Sequence, residues 1–125
     1  MGVRLIESAS RIPVPGGKVI DEYVGRVNNG EQRVSVAHMK APPGWAEPAQ
    51  TPGFDEYTVV LSGSLLVEHA GTTVEVRGGQ AVLTEAGATV RYRAGDGGAE
   101  YVAICLPAFA LELANRAPDD TGGEE

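Results

Sequence analysis

The sequence predicts an all-β protein of one domain, built as an antiparallel barrel or sandwich. The chain has 125 residues, enough for one hydrophobic core but not for a second domain of ordinary size. It contains 17 Gly and 8 Pro, which are costly inside helices and common in turns. These residues recur at short intervals, and the runs between them have strand character. Many short strands at this spacing are typical of barrels and sandwiches.

Each apolar run between two turn signals is expected to form a strand. The run from Leu65 to Val76 is typical of a hairpin, because two strand-like arms flank a turn at His69, Ala70 and Gly71. The predicted strands cover approximately residues 3–7, 18–26, 32–41, 55–62, 64–69, 72–77, 80–85, 89–93 and 99–106.

The C-terminal part of the chain has a different pattern. The pattern of residues 108–115 predicts a short helix, with Pro107 near its first turn. After Ala117 the chain has no apolar residues that could dock, so we expect a disordered acidic tail. The barrel domain is therefore expected over residues 1–110, with the short helix and the tail in residues 111–125.

Charge and composition exclude several classes of function. The net charge is -7 and the sequence contains no run of Lys or Arg, which predicts no nucleic-acid partner and no anionic membrane surface. No apolar run approaches the roughly 18 residues of a membrane span, and the N-terminus does not resemble a signal peptide, so we expect a cytoplasmic protein. The single cysteine, Cys105, excludes an internal disulfide and lies in an apolar run typical of a buried, inert thiol.

The segment from His38 to Gly63 is the densest in functional groups. Three acids, an amide, a Trp and a Tyr lie close together on a Pro- and Gly-rich loop between two predicted strands. Binding sites are frequent on loops that a rigid scaffold holds in this way.

The spacing of glycines and one glutamate around this segment resembles the cupin superfamily. The resemblance extends over roughly residues 34–109 and implies a double-stranded β-helix, or jelly-roll, barrel. Gln50, Pro52 and Val90 stand where the family has its metal-binding histidines. The chain is also similar to the cupin domain of ethanolamine-utilisation proteins, which lacks those histidines too. The matching positions are Gly44, Gln50, Pro52, Glu56 and Gly63 in the first motif, and Gly79, Glu85, Gly87 and Val90 in the second.

The resemblance implies which side chains line the barrel interior. Strand alternation places Glu56 on the inner side, and the family pattern adds Glu47 from the preceding loop. Two carboxylates in an apolar barrel repel each other, which raises at least one pKa towards the range useful for proton transfer. Glu47 and Glu56 are therefore the candidate catalytic residues, although a solvated Glu47 and a structural Glu56 stay open. The expected substrate-binding residues are Gln50, Tyr92, Trp45 and Met39.

Three functions follow from this pocket. The first is a small-molecule-binding cupin that acts as a non-redox isomerase, lyase or cyclase through its interior carboxylates. The second is a metal-dependent cupin with a rebuilt site at His38, Gln50 and Glu56, together with Glu47. The third is a non-catalytic module that binds a metabolite. Enzymatic activity stays open, as does the choice between a divalent metal ion and no cofactor.

The resemblance also implies an assembly. Small cupins commonly dimerise by lending an N-terminal strand to the partner's sheet. Residues 3–7 form an isolated predicted strand, separated from the rest by a Pro- and Gly-rich loop. We therefore expect a homodimer that exchanges residues 1–10.

Overall fold

The computed structural model describes residues 2–117, which form one antiparallel sheet of seven strands and one short helix. The strand order is β1-β2-β3-β7-β4-β5, and β6 also pairs with β4. The predicted all-β class with a short C-terminal helix is confirmed. The elements are β1 (Ser10–Ile12), β2 (Val19–Val24), β3 (Ser35–Ala41), β4 (Asp55–His69), β5 (Thr72–Arg77), β6 (Ala81–Thr84), β7 (Arg91–Leu106) and α1 (Leu111–Ala114).

The two longest strands, β4 and β7, pair with each other through the middle of the sheet. The sequence predicted separate strands at 55–62 and 64–69, and at 89–93 and 99–106, but each pair forms one continuous strand. Gly63 and Gly98 both have positive φ, and the pairing register shifts beside Gly63. A Cβ on Gly63 would lie 2.1 Å from the carbonyl oxygen of Gly98. These glycines therefore permit a bulge and a close approach of two backbones instead of a turn.

The N-terminal segment differs from its prediction. Residues 2–9 form no strand in this chain, so the predicted strand at 3–7 is wrong for the single molecule. Val3 and Leu5 are 97% and 84% exposed, because no strand edge of the same chain lies against them. The exchange of residues 1–10 between two copies stays a prediction.

The C-terminal helix is shorter than the predicted span of 108–115. It covers Leu111–Ala114 and ends at Asn115, which adopts the left-handed conformation. No helix in residues 2–117 is long and apolar enough to cross a membrane. The predicted tail after Ala117 lies outside the described residues.

Strand alternation separates the barrel interior from its outer face. On β4, Glu56, Thr58 and Val60 are buried, as the alternation predicted, whereas Tyr57 and Leu61 are exposed. The same alternation applies to β7, where every second side chain of the apolar run between residues 99 and 105 points inward. The inner side chains of these two strands form much of the core and the wall of a cavity.

We expect Gly63→Ala to destabilise the fold far more than Gly71→Ala. Both glycines have positive φ, which costs an alanine about 1 kcal/mol or somewhat more. Only at Gly63 does the added methyl group also meet a backbone carbonyl, whereas nothing lies within 4 Å of a Cβ at Gly71. Urea unfolding should place the free energy of unfolding of Gly63→Ala at least about 2 kcal/mol below that of Gly71→Ala. Equal losses in the two variants would contradict the close approach of β4 and β7.

Candidate functional site

A cavity of about 420 Å³ occupies the barrel interior. Most of the surface of its wall is apolar, which is the usual character of a ligand pocket. The apolar wall includes Ile20, Ala37, Met39, Phe54, Ala103 and Phe109. The polar or ionisable groups of its lining include Lys18, Glu22, Glu47, Gln50, Glu56, Tyr92, Tyr101, Glu112 and Arg116.

Glu47 lies between two cations. Its Oε1 atom is 4.0 Å from Lys18 Nζ and 3.6 Å from Arg116 Nη2. The side chains of Lys18 and Glu47 are only 8% and 10% exposed, so water screens this group weakly. The ammonium of Lys18 also lies 4.2 Å from the centre of the Trp45 ring. Burial lowers the pKa of Lys18, and the nearby charge of Glu47 acts in the opposite direction.

Glu56 is another carboxyl group of the cavity lining, and it has few hydrogen-bond partners. Thr58 Oγ1 lies 3.5 Å from Glu56 Oε2 and makes the one hydrogen bond recorded for this carboxyl group within residues 2–117. Burial, followed by the charge of Glu47, raises the pKa of Glu56 to about 7. The cavity therefore holds Glu47 beside two cations, and a Glu56 carboxyl group that is partly protonated at neutral pH.

Gln50 and Val90 are neighbours, although forty residues separate them in the sequence. Their backbones exchange two hydrogen bonds of 2.8 Å each. These bonds hold the loop that contains Gln50 against the residue that precedes β7. Arg116 Nε donates to Gln50 Oε1 at 3.3 Å. Because that bond occupies the amide oxygen, the Gln50 amino group is the part free to meet a ligand.

Two tyrosines complete the polar lining. The hydroxyl of Tyr92 shares a hydrogen bond of 2.7 Å with Thr84 Oγ1. Burial raises the pKa of both Tyr92 and Tyr101, so both hydroxyls keep their protons at neutral pH. The cavity thus offers neutral hydroxyl groups beside its charged groups.

Sequence reasoning missed Lys18, Tyr101 and Arg116. Lys18 follows a turn far from the recognised motif, and Arg116 lies next to the expected tail, so neither belonged to the segment rich in functional groups. Alternation along the apolar run of β7 could have placed Tyr101 on the same side as Cys105. No spacing rule would have found the two cations, because only the folded barrel brings them to Glu47.

Two predicted site residues lie elsewhere. His38 is absent from the cavity lining, and its Nε2 atom is 2.7 Å from Glu100 Oε2. Its neighbours Ala37 and Met39 line the cavity instead, as Met39 was expected to do. Trp45 is buried in the core beneath the Lys18 ammonium and does not line the cavity, so its prediction as pocket wall is wrong.

The rebuilt metal site is therefore wrong in its histidine. Within the described part of the chain, no group of three or more His, Cys, Asp or Glu side chains could hold a metal ion. The remaining donors of the cavity, Glu47, Gln50 and Glu56, lie with two cations, Lys18 and Arg116, that would repel a divalent ion. These residues do not fit the histidine-based metal centre that the family pattern implied.

Solved structures with similar backbones support the fold assignment. Oxalate decarboxylase from Bacillus subtilis is 17% identical with a TM-score of 0.74, over 89% of this chain and 31% of that chain. The ethanolamine utilisation protein EutQ from Salmonella typhimurium is 18% identical with a TM-score of 0.63, over 74% of this chain and 71% of that chain. The chain thus has a cupin fold. At these identities the likeness shows the fold alone.

A curated relative is much more similar in sequence. The protein named endoribonuclease YbeY in Myxococcus xanthus (strain DK1622) is 44% identical over 115 residues. The match covers 91% of this chain, but this chain spans only 39% of the length of that relative. No protein-family model matches the chain.

This relative contradicts the expected function. We expected a small-molecule-binding cupin, as an isomerase, lyase or cyclase, a metal-dependent enzyme or a metabolite-binding module, and no nucleic-acid partner. The similar protein carries the name of a ribonuclease, whose substrate is RNA. The net charge of -7 argues against a broad basic surface for nucleic acid. A negative net charge does not exclude local recognition of one nucleotide, nor a role beside an RNA-cleaving domain. The expectation of no nucleic-acid partner was wrong because it considered only a broad basic surface.

The elevated pKa of Glu56 predicts a pH-dependent stability. The group titrates near 4.5 in the unfolded chain and at about 7 in the folded one, so the unfolded chain releases its proton first as pH rises. The free energy of unfolding should therefore fall by up to about 3 kcal/mol between those two pH values. Glu56→Gln removes this titration, and its stability relative to the parent protein should rise over the same window. Urea unfolding at several pH values measures this difference.

The matched control is Glu85→Gln, because Glu85 is exposed to solvent. Its stability relative to the parent should change little with pH. A pH-independent difference for Glu56→Gln would contradict the buried, partly protonated carboxyl group.

Proposed function

We propose that this chain is an RNA-binding cupin module that serves an endoribonuclease. The observation that carries the proposal is the relative in Myxococcus xanthus, which matches 91% of this chain but has most of its own length outside the match. That remaining length is large enough to hold a separate domain for RNA cleavage. The module would then contribute RNA recognition, and the catalytic centre would lie in the other part of the assembly.

The cavity is the part of the chain best suited to contact RNA. With a net charge of -7, the chain gains little affinity from the release of counterions from phosphates. Its contact with RNA must therefore be local and must depend on shape and hydrogen bonds. Single-stranded RNA offers unpaired bases that proteins hold in this way. Exposed Arg26 and Arg116 at the cavity lining provide cations for the adjoining phosphates.

One finer assignment belongs to the same proposal. An RNA-processing role fits the cytoplasmic location that the sequence led us to expect. The likeness to the ethanolamine utilisation protein is too distant in sequence to bring any function of that protein to this chain.

Binding to single-stranded RNA tests the proposal. We expect the purified chain to bind a fluorescently labelled 12-nucleotide single strand, and to bind a duplex of the same length at least tenfold more weakly because its bases are paired. Since only one or two phosphates would contact cations, the dissociation constant should change less than about tenfold between 50 and 200 mM salt. Fluorescence anisotropy measures both quantities.

The same preparation should leave the RNA intact. Cleavage by the parent chain that disappears in Glu47→Gln would place catalysis in this cavity and contradict the role of a binding module. Absence of binding at millimolar RNA, or equal binding of single strand and duplex, would overturn the proposed RNA recognition.

A further inference from the structure

One carboxyl group of the cavity has few hydrogen-bond partners within the protein. Glu56 is buried, lines the cavity, and has the single 3.5 Å bond from Thr58 as its recorded hydrogen bond among the described residues. A buried carboxyl group usually has several partners, because each unmet hydrogen bond costs free energy. This under-partnered group indicates that a ligand supplies the missing bonds.

The polar groups differ in what they can donate and accept. Glu47 is an acceptor that lies between the cations Lys18 and Arg116. A protonated Glu56 is a donor through its hydroxyl hydrogen, and the ammonium of Lys18 donates as well. Gln50 adds its amino group, since Arg116 already occupies its oxygen. Around Glu47 the cavity therefore presents an acceptor with several donors nearby.

The walls favour a flat, aromatic ligand. Tyr92, Tyr101, Phe54 and Phe109 line the cavity, and aromatic side chains are the usual stacking partners of unpaired bases. The volume of about 420 Å³ is within the range of pockets that hold a small organic group. Exposed Arg26 and Leu111 belong to the same lining, so the cavity reaches the protein surface, where the sugar and phosphate of an inserted nucleotide could lie.

We infer that the barrel cavity binds the guanine base of an unpaired RNA nucleotide, with Glu47 accepting hydrogen bonds from guanine N1 and N2. This inference rests on the proposed function and names the base that the site selects. The carboxylate of Glu47 meets the two adjacent donors of guanine, and Lys18, Gln50 or protonated Glu56 donates to guanine O6. Proteins pair side chains with base edges by this matching of donors and acceptors.

The other bases match this arrangement less well. Adenine and cytosine each present a ring nitrogen acceptor beside an amino group, so a carboxylate such as Glu47 would meet an acceptor at one of its oxygens. Uracil offers one donor between two carbonyl oxygens and lacks the amino group. A carboxylate left facing an acceptor loses a bond it would otherwise make, and selection between bases follows.

Trinucleotides that differ only in the middle base test this inference. We expect 5′-UGU-3′ RNA to bind at least about tenfold more tightly than its counterparts with A, C or U in the middle. A counterpart with inosine, which lacks the N2 amino group, should lose roughly fivefold or more in affinity to the parent protein. Isothermal titration calorimetry measures each dissociation constant, and the inosine comparison needs no protein variant.

Glu47→Gln should remove most of the difference between guanine and inosine, because the carboxylate that accepts from N2 is gone. Urea unfolding and circular dichroism establish that this variant folds. Glu85→Gln, on the exposed surface, is the matched control and should keep the parental preference. If Glu47→Gln reduces the difference in affinity between guanine and inosine, the contact with N2 belongs to Glu47. A general loss of structure would instead weaken the binding of both bases equally.

The outcomes separate this inference from the proposed function. Equal affinity for all four middle bases, or an unchanged guanine preference in Glu47→Gln, would overturn guanine recognition while RNA binding by the chain stands. Failure of the 12-nucleotide strand to bind would overturn the RNA proposal itself. Free guanosine 5′-monophosphate should bind more weakly than 5′-UGU-3′, and tighter binding of the free nucleotide would assign the cavity to a nucleotide outside RNA.

Discussion

The pairing of β4 with β7 is the constraint on which the rest of the structure depends. Their register extends from Asp55 opposite Leu106 to Glu68 opposite Arg91, and both strands also hold other strands at their free edges. Each strand is long enough to bend, and the bend is accommodated where Gly63 lies against Gly98. The pairing register shifts on either side of this point, so the bulge lets the two strands stay paired while they curve around a cavity. The wall of the site is a direct product of this pairing.

The charged groups of the cavity offset one another's cost of burial to different degrees. Burying Glu47 or Lys18 alone would cost several kcal/mol, and their proximity to each other and to Arg116 offsets much of that cost. Glu56 has no comparable cation at contact distance, and its burial favours the neutral acid instead. Two chemically identical side chains thus lie in different electrostatic surroundings because their neighbours differ. An arrangement of this kind adds little stability, which is consistent with a role in recognition.

The sequence predicted the fold well because the fold depends on local signals. Alternation on the strand from Asp55 correctly divided Glu56 from Tyr57, and glycine spacing marked the places where the backbone turns or approaches itself closely. It misjudged Gly63, since a glycine in a bulge and a glycine in a turn have the same local sequence pattern. The site was predicted only in part. Glu47, Glu56, Gln50 and Tyr92 share one motif region or one face, whereas Lys18 and Arg116 reach the cavity from opposite ends of the chain.

The backbone bridge between Gln50 and Val90 has a consequence for how such a barrel can change its ligand. The two hydrogen bonds that join these residues use only main-chain atoms, so the bridge does not depend on either side chain. In the cupin pattern the same two positions carry histidines. Their replacement by an amide and an aliphatic group can therefore alter the chemistry of the cavity while the loop stays fastened to the barrel. The backbone of this site and the side chains that line it can therefore evolve separately. One barrel can change from side chains that bind a metal ion to side chains that bind an organic group and keep its shape.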